Sequence, residues 1–298
     1  MNQIESALKH TRDESGLDHI ESSLKAEFDV LQKAHDAIHE FMYLAPLCFP
    51  DDEHEVGWEN KSAFLLYQWE IFNHAHRSSI EALCTYYNVA FVLLRTTLEL
   101  SLKGAFWQCL SQERFRDGSS ILDNSSEGKK IKDWLQTIFE ASLGTKNELQ
   151  QVSAGIFDKV GNRIEDRSFR LPVKTIVQQL DQWGIFSPIN NAPDVVYESL
   201  YSRLSADIHV IPDRIDIGRR IASEKLSLFE QQVAPAALRE YATTLHEIMD
   251  MAILIELNIL QDLVERFESV RHKLSKRLNI MEQLGLKYSL MKTRGLLK

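Results

Sequence analysis

Little in this chain breaks a helix. Twelve glycines and seven prolines are few for 298 residues, while Leu, Glu, Ala and Lys abound, so a fold of short strands and tight turns is disfavoured. Cysteine is scarcer still. Cys48, Cys84 and Cys109 are odd in number and share no paired spacing, which argues against a disulfide framework or a Cys-rich zinc site and makes a reducing, cytoplasmic setting the expectation. Long uncharged apolar runs are missing as well. The most apolar stretch, "VAFVLLRTTLELSLKGAFW", is interrupted by Arg95, Glu99 and Lys103, so it reads as a helix buried in protein rather than in lipid. The N-terminal "MNQIESALKHTRDESG" has no apolar signal core, and a soluble, uncleaved chain with no membrane association is expected.

Positive charge is in deficit overall, with a net charge of −9, which speaks against generic electrostatic binding of nucleic acid. The deficit is uneven. Residues 266–298 carry nine Lys or Arg against two Glu, a local +7 that leaves −16 for the rest. That basic end reads either as a solvated helix face or as a contact for phosphates or an acidic protein partner.

What is present is helical periodicity. Leu17, Ile20, Leu24, Phe28, Leu31, Ile38 and Phe41 recur at spacings of three, four or seven and predict an amphipathic helix ending before Pro46 and Pro50. After the acidic loop "DDEHEVGWEN", helices are predicted from about Lys61 to Cys84 and from about Asn88 to Leu110, linked by "TYY" or fused into one. "RDGSSILDNSSEG" is a loop, "KKIKDWLQTIFEASL" and "KNELQQVSAGIFDKV" two helices, and "PVKTIVQQLDQW" a helix opened by Pro172 and closed by Gly184. Asn191 and Pro193 then stand as cap and first turn of a helix through "LYSRLSADIHV", stopped by Pro212. A further helix spans about Ile217–Gln232, and the longest pattern runs from Pro235 to about Asn279 without Gly or Pro. No strand pattern appears. The expected fold is all-α, an elongated multi-helix bundle with long antiparallel helices: an N-terminal helix within 1–50 packing on a bundle at 60–279, then a basic segment at 280–298.

Three constellations bear on chemistry. Tyr201, Ser205 and His209 share one stripe of their helix at i, i+4 and i+8, whereas Arg203 lies six residues before His209, about 240° away around an ideal helix. Arg95 and Glu99 are one turn apart in an apolar helix, where burial would make their pairing close to obligatory. They read as an internal clamp, or as part of a site that the Tyr201, Ser205, His209 stripe faces. In "WEIFNHAHRSSIE", Glu70 and His74 are spaced for a shared metal, with His76 nearby, but no second Glu-x-x-His element completes a ferritin-like pair. No metal ligands and no cofactor are assigned. Phosphate loops, zinc-protease helices and nucleophile elbows are absent.

The run "YNVAFVLLRTTLELSLKGAF", followed by "YSRLSADIHV", resembles an uncharacterised microbial family with an "LLR…E" helix and a "Y…S…H" helix, associated with the HEPN superfamily of helical bundles; the resemblance covers roughly residues 60–275. It implies an RNA-binding module or a metal-independent endoribonuclease in microbial defence or stress regulation, with an Arg, four to six residues, then a His as its mark: here Arg203 and His209. Active HEPN nucleases usually carry Asn, Asp or His after that Arg, and this chain carries Leu204. The resemblance implies His209 as proton carrier, Arg203 as stabiliser of phosphoryl charge, Ser205 or Tyr201 as orienting groups, Arg95 and Glu99 in support, and a site shared across a homodimer. The alternative is a non-catalytic helical scaffold or regulatory module that engages a protein through its basic end.

Overall fold

The computed structural model describes residues 27–47, 63–110, 171–208 and 235–298, with Ser6, Lys9, Phe115 and Ser126 as isolated positions. His209, the two helices expected between residues 129 and 160, and the one expected at 217–232 lie outside the described residues. Within them the protein is all-α and contains no strand. None of the described helices is long and apolar enough to cross a membrane.

Helix α1 spans Phe28–Leu47, α2 Ala63–Leu83 and α3 Tyr87–Leu110. Ala34, Ala37, Ile38, Phe41 and Leu44 form the buried stripe of α1, the face its three-and-four spacing predicts. The α2–α3 hairpin packs closely. A Cβ on Gly104 would meet the Tyr67 Cβ at 2.9 Å, so only glycine lets the two backbones approach this closely.

The "TYY" connection is a true turn, made without glycine or proline. The amide of Thr85 donates to the Ala82 carbonyl and that of Tyr86 to the Glu81 carbonyl, closing α2 with Thr85 in the left-handed region at φ 65°. A β-branched residue is strained there. Thr85→Gly is therefore expected to stabilise the protein by about 1 kcal/mol, relief of strain exceeding the added freedom of the unfolded chain, and to shift the urea midpoint upward.

Helix α4, Val173–Gln182, begins after Pro172 and ends where Gly184 takes φ 74°, as its sequence punctuation predicts. The chain then enters a π-helical segment, Pro193–Tyr201, which continues as α5, Ser202–Ile208. Pro193 sits in its first turn, and Asn191 precedes it at φ 59° with its carbonyl accepting from the Asp194 amide. The wide i→i+5 winding is rare and is found often at functional positions.

Helix α6, Pro235–Ile259, is the axis of the bundle, packed against α1, α2 and α3. Every residue from Ile248 to Ile259 is buried, the mark of a helix surrounded by protein. Three of its buried polar side chains are tied. The Glu256 carboxylate accepts from Gln68 at 3.0 Å, Asn258 donates to the Ser187 carbonyl at 3.0 Å, and Asp250 caps a later helix. Tyr241 places its hydroxyl between Ser78 at 2.7 Å and Ser79 at 3.1 Å of α2.

The long pattern beginning at Pro235 is broken, contrary to the unpunctuated sequence, into α6, α7 (Gln261–Arg266) and α8 (Glu268–Leu284). Phe267 is extended, with φ −113° and ψ 115°, and packs against the core. One straight helix over that stretch would be roughly 65–70 Å long. Turning back at Phe267 instead lets Val270, Leu274 and Met281 be buried. The boundary expected at 279/280 thus falls inside α8. After Gly285 at φ 73°, α9 (Tyr288–Leu296) folds onto α6.

Candidate functional site

Where α3 meets the π-helical segment, the two stretches that carry the family resemblance come together. Apolar packing fixes the approach: Leu94, Leu98 and Leu102 of α3 and Val196, Leu200 and Leu204 are fully or nearly fully buried. Beside this seam the Arg95 Nε donates to Glu99 Oε1 at 3.0 Å, and its terminal guanidinium nitrogen donates to the Tyr201 hydroxyl at 2.8 Å. That hydroxyl donates in turn to Glu99 Oε1 at 3.0 Å. Lys103, one more turn along α3, reaches Glu99 Oε2 at 3.1 Å. The guanidinium also lies over the Tyr201 ring, 5.0 Å from its centroid, and Tyr197 stacks on Tyr201 at 5.4 Å and 17°.

The network is half-buried rather than sealed. Arg95 and Glu99 keep 20% and 22% of their side-chain exposure and Lys103 keeps 40%, so the pair is not the fully desolvated clamp that would cost 3–5 kcal/mol to break. Burial raises the Tyr201 phenol above its ordinary 10.0 against the pull of Arg95, which keeps it a protonated donor. Burial also pushes the Glu99 carboxyl up, but Lys103, Tyr201 and Arg95 outweigh it and hold it below 4.5. A depressed carboxylate pKa stabilises the fold above the unfolded value, and this contribution disappears as pH falls through the folded one. Glu99→Gln is accordingly expected to cost about 1–2 kcal/mol near neutrality. The difference from wild type should shrink below pH 4.5, read from urea midpoints across that range.

The remaining expected residues do not join this centre. Arg203, two positions beyond Tyr201 and so on the opposite side of the helix, donates to Glu247 of α6 at 2.6 Å. Ser205 turns its hydroxyl back onto the Tyr201 carbonyl at 2.9 Å, a bond within its own helix. His209 lies outside the described residues. Of the Tyr201, Ser205, His209 stripe expected to face Arg95 and Glu99, the described part that does so is Tyr201. Ser205 follows Tyr201 by one α-helical turn, beyond the π-helical segment, and its hydroxyl is taken up by its own helix rather than by α3. Lys103 was missed as a member, although its place four residues after Glu99 repeats the spacing of Arg95 and Glu99.

The sequence reading also left a second cluster unassigned. His35 and His39 of α1 and His76 of α2 bring one ring nitrogen each within 4.8 Å of the others. Glu70 and His74, considered with His76 from their spacing, are not in that group. The signal overlooked was a His-x-x-x-His pair on one face of α1.

Comparison with protein-family models, with curated proteins and with solved structures finds no match.

Proposed function

We propose that the chain is a HEPN-like RNA-binding protein whose phosphate-contacting centre is the Arg95–Glu99–Lys103–Tyr201 network. The observation that carries this reading is the convergence of the "LLR…E" helix and the "Y…S" helix on one partly exposed cluster in which two cations outnumber a single carboxylate. Such a surplus suits a phosphate oxygen: Arg95 offers a planar fork of donors with its orientation already fixed by Glu99, and Lys103 a partly exposed point charge. Binding at this patch is consistent with an acidic chain, because base-independent affinity follows the local phosphate contacts rather than the net charge. The setting implied by the family resemblance is microbial defence or stress regulation.

Binding rather than cleavage is the form the geometry supports. Within one protomer Arg203 is committed to Glu247, and Ser205 to its own helix. A nuclease reading would need a second copy of the chain to bring Arg203 and His209 together, with His209 handling the proton and no metal required. Incubating the full chain and its His209→Ala variant with structured RNA in EDTA separates the two forms. Binding without cleavage by either protein is the expected result, and cleavage by wild type that disappears in the variant would replace it with the catalytic reading. The scaffold alternative draws on the exposed Arg271 and Lys276 of α8. It would be favoured if RNA binding were absent altogether.

A further inference from the structure

The three imidazoles between α1 and α2 form the cluster with the greatest chemical consequence outside that centre. His35 and His39 lie one turn apart on α1, with ring centroids 4.7 Å apart, and His76 of α2 stands 5.4 Å from the first and 5.9 Å from the second. Phe72 stacks on His76 at 5.6 Å and meets His39 edge-on at 5.7 Å, an apolar wall that limits the rotation of both rings. Asp36 Oδ1, which accepts from Gln32, lies 3.6 Å from His35 Nδ1, a negative charge beside the cluster. Among the described residues no hydrogen bond joins the three rings to one another. Converging imidazole lone pairs repel unless an electrophile lies between them, and protonating all three would set like charges side by side.

We propose that His35, His39 and His76 bind one divalent first-row transition metal ion, with zinc as the reference case. The ligand set selects that class: neutral imidazoles suit zinc, copper or nickel, whereas magnesium and calcium require oxygen donors. The geometry is close to what the ion needs. At zinc–nitrogen distances of about 2.0–2.1 Å, tetrahedral ligand nitrogens lie about 3.3 Å apart, so from a spacing within 4.8 Å each must close in by about 1 Å at most. Burial and the neighbouring His35 hold His39 below its ordinary 6.5, with Asp36 opposing them, which favours the neutral, ligating ring near pH 7. All three rings are partly exposed, so an ion can enter from solvent. His39 also borders a groove of about 330 Å³ shared with Arg277 and Ile280 of α8. Three protein ligands leave a fourth position for water or a small anionic ligand, and the ion would fasten α1 to α2.

The test uses tag-free, EDTA-stripped full-length protein titrated with zinc by calorimetry and with cobalt by visible absorption. One ion per chain with micromolar or tighter affinity, tetrahedral cobalt bands and a melting temperature that climbs with zinc are expected. Affinity should fall at least 100-fold in His39→Ala and in His76→Ala, and stay unchanged in His272→Ala, an exposed histidine on α8. His35→Gln removes a ligand whose side chain keeps 41% of its exposure and decides the matter if either alanine variant fails to fold. Binding no tighter than millimolar in wild type, or affinity unchanged in His35→Gln, overturns the proposal.

Discussion

Arg277→Ala is expected to destabilise the protein by about 3–5 kcal/mol, because it strands a buried charge. Glu40 of α1 is only 2% exposed, and both of its carboxylate oxygens are held by the Arg277 guanidinium of α8, one through Nε at 3.0 Å and the other through a terminal nitrogen. The guanidinium in turn lies 5.9 Å from the centre of the Tyr43 ring. A lysine at 277 would supply charge without the two parallel donors, so Arg277→Lys should recover only part of the loss. The pair exists mainly to satisfy itself: replacing both partners, as in Glu40→Met with Arg277→Leu, is expected to be far milder than the single alanine variant. Urea unfolding of the single and double variants measures this directly. A double variant as unstable as Arg277→Ala would show that packing, not the unpaired carboxylate, sets the loss.

Asp250→Ala should cost about 3 kcal/mol and act chiefly on α9. From within the buried stretch of α6, one oxygen of Asp250 accepts from the amides of Lys287 at 3.0 Å and Tyr288 at 2.9 Å, and the other from the amide of Ser289 at 3.0 Å and its hydroxyl at 2.5 Å. It thus caps a neighbouring helix in place of a local N-cap, meeting amides that would otherwise have no partner and complementing the positive end of the helix. Charge-assisted bonds of this kind contribute about 1.5–3 kcal/mol each when buried, and water recovers part of that where α9 can lift away. Hydrogen exchange of the amides of 287–289 should rise sharply in the variant. Protection equal to wild type would mean that α9 is held by its apolar contacts alone.

Much of the architecture was legible in the residues. Few helix breakers, a Pro172 start and a Gly184 stop, and three-and-four spacing around Ile38 and Phe41 all report local physics, and local physics decides helices. What escaped was what neighbours impose. Nothing in "TYY" announces that Thr85 will accept a left-handed conformation, and no glycine or proline marks the break at Phe267, which arises because Val270, Leu274 and Met281 gain burial by turning back. The candidate centre was half legible for the same reason. Arg95 and Glu99 advertise each other at i, i+4, and Tyr201 was expected opposite them. Ser205 belongs to its own backbone and Arg203 to Glu247, outcomes that depend on the carbonyl one turn back along the helix and on where α6 passes. His35, His39 and His76 are split between two helices, so their convergence follows from the packing of α1 on α2. Asp250 is likewise one acidic residue in an apolar run until α9 folds onto it.

Salt-dependent RNA binding by wild type and Lys103→Ala tests the central claim most directly. Lys103 is partly exposed and its ion pair is with Glu99 of its own helix, so its removal should leave the fold intact. If the Arg95–Glu99–Lys103–Tyr201 cluster contacts phosphates, the variant binds structured RNA more weakly at low salt. Its slope of log affinity against log salt should then be shallower by roughly 0.7–0.9, the signature of one lost phosphate contact. Identical affinity and identical slope in the two proteins would contradict the account.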